Sequence, residues 1–198
     1  MSHTDADAIR AVLAGEIDRY AELVDRYQDR AIRIAFTFVG NHEDARDVAQ
    51  EAFVSAYQGL RAFRGTAKFS TWLYRIIMNR CKDVHRRRAR HPVTLASLGA
   101  PEHEGSGEDS VFADAADPGP DPEALATSRE LGQQLTAAIR ELPMNQRTAF
   151  LLHHVHGFAI EEAAGIMECR VGTVKSHLFR ATSSLRKRLT PWLTQEYR

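Results

Sequence analysis

Cysteine is nearly missing from this chain. Cys81 and Cys169 are the only two in 198 residues, they lie far apart, and no CxxC pair occurs. That excludes a disulfide scaffold and leaves free thiols in a reducing compartment as the default. Missing too is any apolar run near the roughly 18–20 residues that a membrane span requires. The opening residues, MSHTDADAIRAVLAGE, carry acids where a signal peptide needs a basic and then an apolar region. The sequence therefore predicts a cytoplasmic protein with no membrane insertion. There is no Walker loop, nucleophile elbow, HExxH or paired-acid site, so neither catalysis nor a cofactor is expected. His153, His154 and His156 invite a metal-dependent hydrolase, but adjacent histidines on a helix point to different faces and no carboxylate set accompanies them. No metal site is expected.

Net charge is also absent, with 26 Lys+Arg against 26 Asp+Glu. The balance conceals segregation. Residues 68–90 hold eight Lys or Arg and one acid, Asp83. Residues 91–128 hold eight acids and no Lys or Arg, whereas residues 170–190 hold six Lys or Arg and no acid. Local charge, rather than the neutral average, points to partners.

Residues 69–90, FSTWLYRIIMNRCKDVHRRRAR, show two faces at helical period. Phe69, Leu73, Ile76, Ile77 and Val84 form an apolar stripe, and Trp72, Arg75, Asn79, Lys82 and Arg86 form a second strip. A basic strip with aromatics suits phosphates and stacked bases. It equally suits a core helix with a solvated basic face, and the stretch alone leaves both readings open.

Ahead of it, residues 8–39 read as helix, with Leu13, Ile17, Tyr20, Leu23, Val24, Tyr27, Ala31, Ile34, Ala35 and Phe38 as the apolar stripe and Gly15 as an interruption. Gly40-Asn41 is a helix stop. A helix over 43–62 follows, burying Ala45, Val48, Ala49, Ala52, Phe53, Ala56, Tyr57 and Leu60. Its Asp44, Asp47, Gln50 and Glu51 face out, and by composition alone they read as a solvated patch. Residues 63–68 form a short loop holding Arg64 and Lys68.

His91-Pro92 ends the basic helix. From there to about residue 121, Gly, Pro, Ser, Asp and Glu dominate and no apolar period survives. Such a segment cannot bury enough surface to offset its ordering entropy, so it reads as a flexible acidic linker. Pro122 opens a new helical pattern, and Pro143 ends it. Asn145 is placed to cap a further helix over 146–154, and Gly157 stops that one. Residues 158–181, FAIEEAAGIMECRVGTVKSHLFRA, then read as a short helix, a tight turn at Glu168-Cys169-Arg170 and a longer helix: a helix-turn-helix pattern. Arg170, Thr173, Lys175, Ser176, Phe179 and Arg180 face outward. An ordinary helical hairpin is the rival reading, and the lack of any acid over 170–190 favours DNA binding.

Four blocks, DARDVAQEAFVSAY, FRGTAKFSTWLYRIIMN, LPMNQRTAFLLHHVHGF and CRVGTVKSHLFRA, together resemble bacterial RNA polymerase sigma factors of the extracytoplasmic-function (ECF) group. The resemblance implies an all-α fold of two small helical domains. A region 2 bundle would span 1–90, a flexible acidic linker 91–127, and a region 4 helix-turn-helix domain 128–198. It implies that Asp47, Gln50 and Glu51 dock on the clamp helices of the polymerase's largest subunit, which reverses the solvated reading of that patch. It assigns −10 promoter reading and melting to Arg64, Lys68, Trp72, Arg75, Asn79, Lys82 and Arg86. It assigns −35 reading in the major groove to Arg170, Thr173, Lys175, Ser176, Phe179 and Arg180. Implied partners are core RNA polymerase (clamp helices and flap), promoter DNA and an anti-sigma factor.

Three positions depart from the family pattern. Arg170 stands where many relatives have proline, Glu168 where a glycine is common, and His177 where an arginine is frequent. The rival functional reading, a stand-alone helix-turn-helix regulator, gives no use for the basic aromatic face of residues 63–79.

Overall fold

The computed structural model describes residues 4–90 and 122–193. Every regular element among them is helical, as expected of an all-α chain. Residues 91–121 of the expected acidic linker lie outside the described residues. The chain separates into two compact units.

The first unit begins with α1 (Asp5–Leu13), opened by a reciprocal capping box between Thr4 and Asp7. Gly15, at φ 109°, interrupts the helical stripe at the expected place, and a 3-10 turn at Ile17–Arg19 leads into α2 (Tyr20–Val39). Asp5 ties the two helices together by accepting from both Arg26 and Tyr27 of α2. Gly40 takes the left-handed conformation at φ 87° and ends α2. The Asn41 side chain then accepts from the Asp44 amide at 2.8 Å and starts α3 (His42–Gly59). A 3-10 turn at Leu60–Ala62 and a short loop precede α4 (Phe69–Arg90).

Helices α2, α3 and α4 pack on one another. Their core holds Leu23, Ile34, Phe38, Phe53, Leu60, Phe69, Leu73, Tyr74, Ile77 and Met78. Each large apolar side chain so buried contributes about 1.5–3 kcal/mol. Ala45, Ala49, Ala52 and Ala56 of α3 are also buried, and their small size lets the helices approach closely. The expected stripes differ from this core at their margins. Leu13, Ile17 and Tyr57, all placed on buried sides by periodicity, are exposed at 47%, 59% and 39%. A helical stripe is wider than the surface its neighbours cover, so its edges remain wet.

The second unit is built from α5 (Pro122–Arg140), α6 (Met144–Phe150) and α8 (Val171–Leu193), with α7 (Ile160–Met167) preceding α8 in the chain. Helix α8 packs on α5 and α6. Ile139, Leu142, Leu151, Leu152, Val174, Leu178 and Leu185 are buried here. The start of α6 corrects the sequence expectation: Asn145 does not cap it. Pro143 occupies the cap, and its carbonyl accepts from Gln146 at 2.9 Å and Arg147 at 3.0 Å. The ring of proline fixes the backbone there, and the helix begins two residues earlier than expected. Its end also differs. From Leu151 to Val155 the chain runs as a π turn, which apolar periodicity could not announce.

Candidate nucleic-acid interface

Helix α4 carries the first candidate face. Phe69, Leu73, Tyr74, Ile77, Met78 and Cys81 are buried, so the helix is anchored along one side. Off that side lie Arg75 and Lys82, half-buried, with Asn79 and Arg86 exposed. These four share one strip with Trp72. Arg86 pairs with Asp83 one turn back on the same helix. In the preceding loop Arg64 and Lys68 are exposed. The loop is pinned by Phe63, whose ring lies 5.0 Å from Trp72 and 6.0 Å from Phe69, centroid to centroid. Trp72 therefore has two roles: one part of its ring holds the loop, and the other part is open to solvent. Gly59 permits this position, because a Cβ there would come within 3.3 Å of the Trp72 ring.

The basic run of α4 divides by direction. His85 Nε2 donates to the Phe38 carbonyl at 2.8 Å, and Arg88 donates to the Val39 carbonyl at 2.9 Å and pairs with Asp44. Both carbonyls belong to the last turn of α2, the negative end of its dipole, where cations are favoured. Arg80 likewise turns inward, donating to Ser55 of α3 at 2.8 Å and lying 3.4 Å from a Glu51 oxygen. Composition places all three residues in one basic segment. The structure uses Arg80, His85 and Arg88 to fasten the bundle and leaves Arg86, Arg87 and Arg90 exposed.

Helix α3 presents Asp47, Gln50 and Glu51 as exposed neighbours. Beside them, an open cleft of about 750 Å³ runs between α2 and α3. Gln50 lines it together with Tyr20, Val24, Phe53, Val54 and Tyr57. Val54 is 50% exposed, and Tyr20 and Tyr57 meet edge to face at 5.1 Å. The polar patch read from sequence thus borders an apolar surface. Tyr57, exposed at the margin of the α3 stripe, is the sequence position that borders it.

The second candidate face is on α8. Glu168 takes φ 53° between α7 and α8, the left-handed geometry for which glycine is usual at such a turn. The Arg170 carbonyl then accepts from Thr173 at 2.9 Å and Val174 at 3.2 Å, opening α8. Val174, Leu178, Ala181 and Leu185 are buried. Arg170, Thr173, Lys175, Ser176, Phe179 and Arg180 are all exposed, and Phe179 is 76% so. A large aromatic held this far into solvent gains nothing for folding. No acid occupies the first turn of α8, so its positive end is uncompensated within the helix.

The histidines behave differently from expectation. Within the π turn the rings of His153 and His154 do not diverge but lie 4.8 Å apart, edge to face. A π turn advances less per residue than an α turn, which narrows the angle between neighbours. His153 is engaged by the Phe158 carbonyl at 2.9 Å. Burial, with His153 alongside, pushes the His154 imidazole below its ordinary pKa. Among the described residues no group of three His, Cys, Asp or Glu is arranged to hold a metal ion. No helix among them is long and apolar enough to cross a membrane.

Residues 23–91 match the family Sigma-70 region 2, and residues 132–185 match Sigma-70, region 4. The RNA polymerase sigma-H factor of Pseudomonas aeruginosa is 34% identical over 194 residues, covering 96% of both chains. The ECF RNA polymerase sigma-E factor of Escherichia coli K12 is 35% identical over 188 residues, covering 95% of both. The chain is an ECF sigma factor of the sigma-70 family. Solved structures show the same fold at lower identity. The sigma factor RpoE of Bartonella quintana, solved in complex with the anti-sigma factor NepR, is 24% identical, with a TM-score of 0.55 over 84% of this chain and 98% of that one. CnrH, solved in complex with the cytosolic domain of CnrY, is 23% identical, with a TM-score of 0.62 over 94% and 99%. Sigma factors direct transcription initiation and are not themselves enzymes. The hydrolase and the stand-alone regulator are thereby set aside.

Proposed function

We propose that this sigma factor divides its work among three of its helices. Helix α3 docks on the clamp helices of core RNA polymerase through Asp47, Gln50 and Glu51, and the apolar cleft beside Gln50 extends the docking surface. The loop over 63–68 and the outer strip of α4 capture and read the −10 element. Arg64, Lys68, Lys82 and Arg86 hold phosphates, while Trp72 and Asn79 meet bases that have left the stack. Arg75 lies between them on the same strip. Helix α8 enters the −35 major groove, where Lys175, Ser176, Phe179 and Arg180 meet base edges and Arg170 and Thr173 meet the backbone. The chain contributes no catalytic group; the polymerase supplies the chemistry.

The observation that carries this reading is the sorting of side chains along α4. Arg80, His85 and Arg88 point inward to fasten the bundle, while Asn79 and Arg86 face outward on the strip that begins at Trp72, Arg86 pairing within its own helix to Asp83. In α8 the exposed Phe179 makes the same argument. Regions 1–90 and 128–198 act as the two functional domains, with the intervening residues as their tether. Working where core polymerase and DNA are, the protein acts in the cytoplasm. An anti-sigma factor is an expected partner; the Bartonella quintana sigma factor RpoE was solved in complex with one.

The test is −10 fork DNA binding by holoenzyme assembled with Asn79→Ala. The reading predicts full assembly with weakened fork binding. Loss of polymerase binding instead would remove Asn79 from the DNA strip.

A further inference from the structure

Arg80 is absent from the outer strip of α4, although it follows Asn79 directly. Its guanidinium faces α3 and makes one hydrogen bond and one ion pair there. One nitrogen donates to Ser55 Oγ at 2.8 Å. The other lies 3.4 Å from Glu51 Oε2. Ser55 is fixed in turn, because its hydroxyl donates to the Glu51 carbonyl at 2.8 Å. A planar fork thus spans two successive turns of α3, anchored at the serine and reaching the carboxylate with its free arm. A guanidinium already held at one nitrogen loses little further freedom in making the second contact.

Glu51 needs such a hold. Its side chain is 56% exposed, and an unrestrained glutamate on a helix surface samples several rotamers. A docking partner must select one of them at a cost in entropy. We propose that Arg80 is a positioning residue, keeping the Glu51 carboxylate in the orientation that polymerase meets and joining the DNA-reading helix to the docking helix at that point. The inference rests on the reading of Glu51 as a docking residue.

The experiment is a titration of core polymerase with full-length chain: wild type, Glu51→Ala, Arg80→Ala, the double variant, Arg80→Lys and Ser55→Ala. Fork DNA binding is then measured with polymerase saturated by each variant. Arg80→Ala should weaken polymerase binding by about five-fold, the upper range for a partly exposed pair. In the double variant it should add nothing to Glu51→Ala. Arg80→Lys keeps the charge but not the fork, and Ser55→Ala loosens the anchor; both should fall between wild type and Arg80→Ala. Fork binding by saturated holoenzyme should not change.

Unaltered polymerase binding in Arg80→Ala, or an effect that adds to Glu51→Ala, overturns the inference. So does a loss of fork binding at saturation, which would make Arg80 a phosphate contact. If Glu51→Ala itself leaves polymerase affinity intact, the docking reading fails first and the positioning role with it.

Discussion

Trp72 and Asn79 lie on one strip of α4, but substitutions at the two test different things. Trp72 packs against Phe63 and Phe69, so its truncation removes a strut of the loop over 63–68 as well as the proposed base contact. Trp72→Ala should cost roughly 3 kcal/mol of stability along with promoter opening. Asn79 is exposed, and Asn79→Ala should leave unfolding within about 0.5 kcal/mol of wild type while still impairing opening. Potassium permanganate footprinting beside a thermal melt separates the two effects. On α8, Arg180→Ala and Lys175→Ala should each weaken −35 binding by roughly 1–3 kcal/mol with no change in the melt. An unchanged promoter response would remove either residue from the interface.

Tyr20 adds a pH dependence. Burial pushes its phenol up to about 12, and the backbone of Tyr57 partly opposes the shift. Burial also raises Tyr27, with Asp5 adding to the effect, and raises Tyr74. In the unfolded chain these groups titrate near 10. Between pH 10 and 12 the folded state therefore holds more protons than the unfolded state. Stability from these groups is complete below pH 10 and is lost as pH rises through the folded pKa values. Unfolding midpoints should fall from pH 9 to pH 11, and Tyr20→Phe and Tyr27→Phe should each flatten the decline. A decline unaffected by both would contradict the assignment.

At the scale of the element, α4 carries two populations of cation on one helix. His85→Ala and Arg88→Ala each remove a partner from the last carbonyls of α2 and should cost about 1 kcal/mol of stability. Lys82→Ala and Arg86→Ala should leave stability nearly unchanged and each reduce the salt slope of promoter binding by about one. Thermal melts and a salt titration on the same four variants make the comparison. Much of this helix is legible in its sequence. The period of Phe69, Leu73 and Ile77 sets the buried side, and the strip from Trp72 to Arg86 follows from it. Gly40 and Asn41 likewise announce the boundary between α2 and α3. The inward turn of Arg80, His85 and Arg88 is not legible, because a long cation can reach toward a neighbour whose position the sequence does not state. For the same reason the cleft beside Gln50 escapes a stripe drawn from α3 alone. The start of α6 shows the limit of cap preferences: Asn145 has the right side chain, but the fixed ring of Pro143 decides where the turn begins.

At the scale of the whole molecule, the proposed function places two DNA-reading units on one chain against two promoter elements. Once one unit is seated, the other searches at the effective concentration set by the tether, so joint affinity exceeds what either unit reaches alone. Residues 1–121 and 122–198 supplied as separate polypeptides should therefore support far less transcription than the intact chain at equal concentration. Equal activity would show that one element carries recognition by itself. The family is legible in the four sequence blocks taken together, because each sets polar or basic residues beside an apolar helical stripe, in a fixed order along the chain. Which side chains serve the fold and which serve the partner is visible only with neighbours in place.

The most direct test of the account is multi-round transcription with purified bacterial core polymerase on a fragmented genomic template, with and without this protein. The account predicts discrete transcripts that require the protein, with shared sequence at −35 and −10 upstream of their start sites. No protein-dependent transcripts, together with no stable complex with core polymerase, would contradict it.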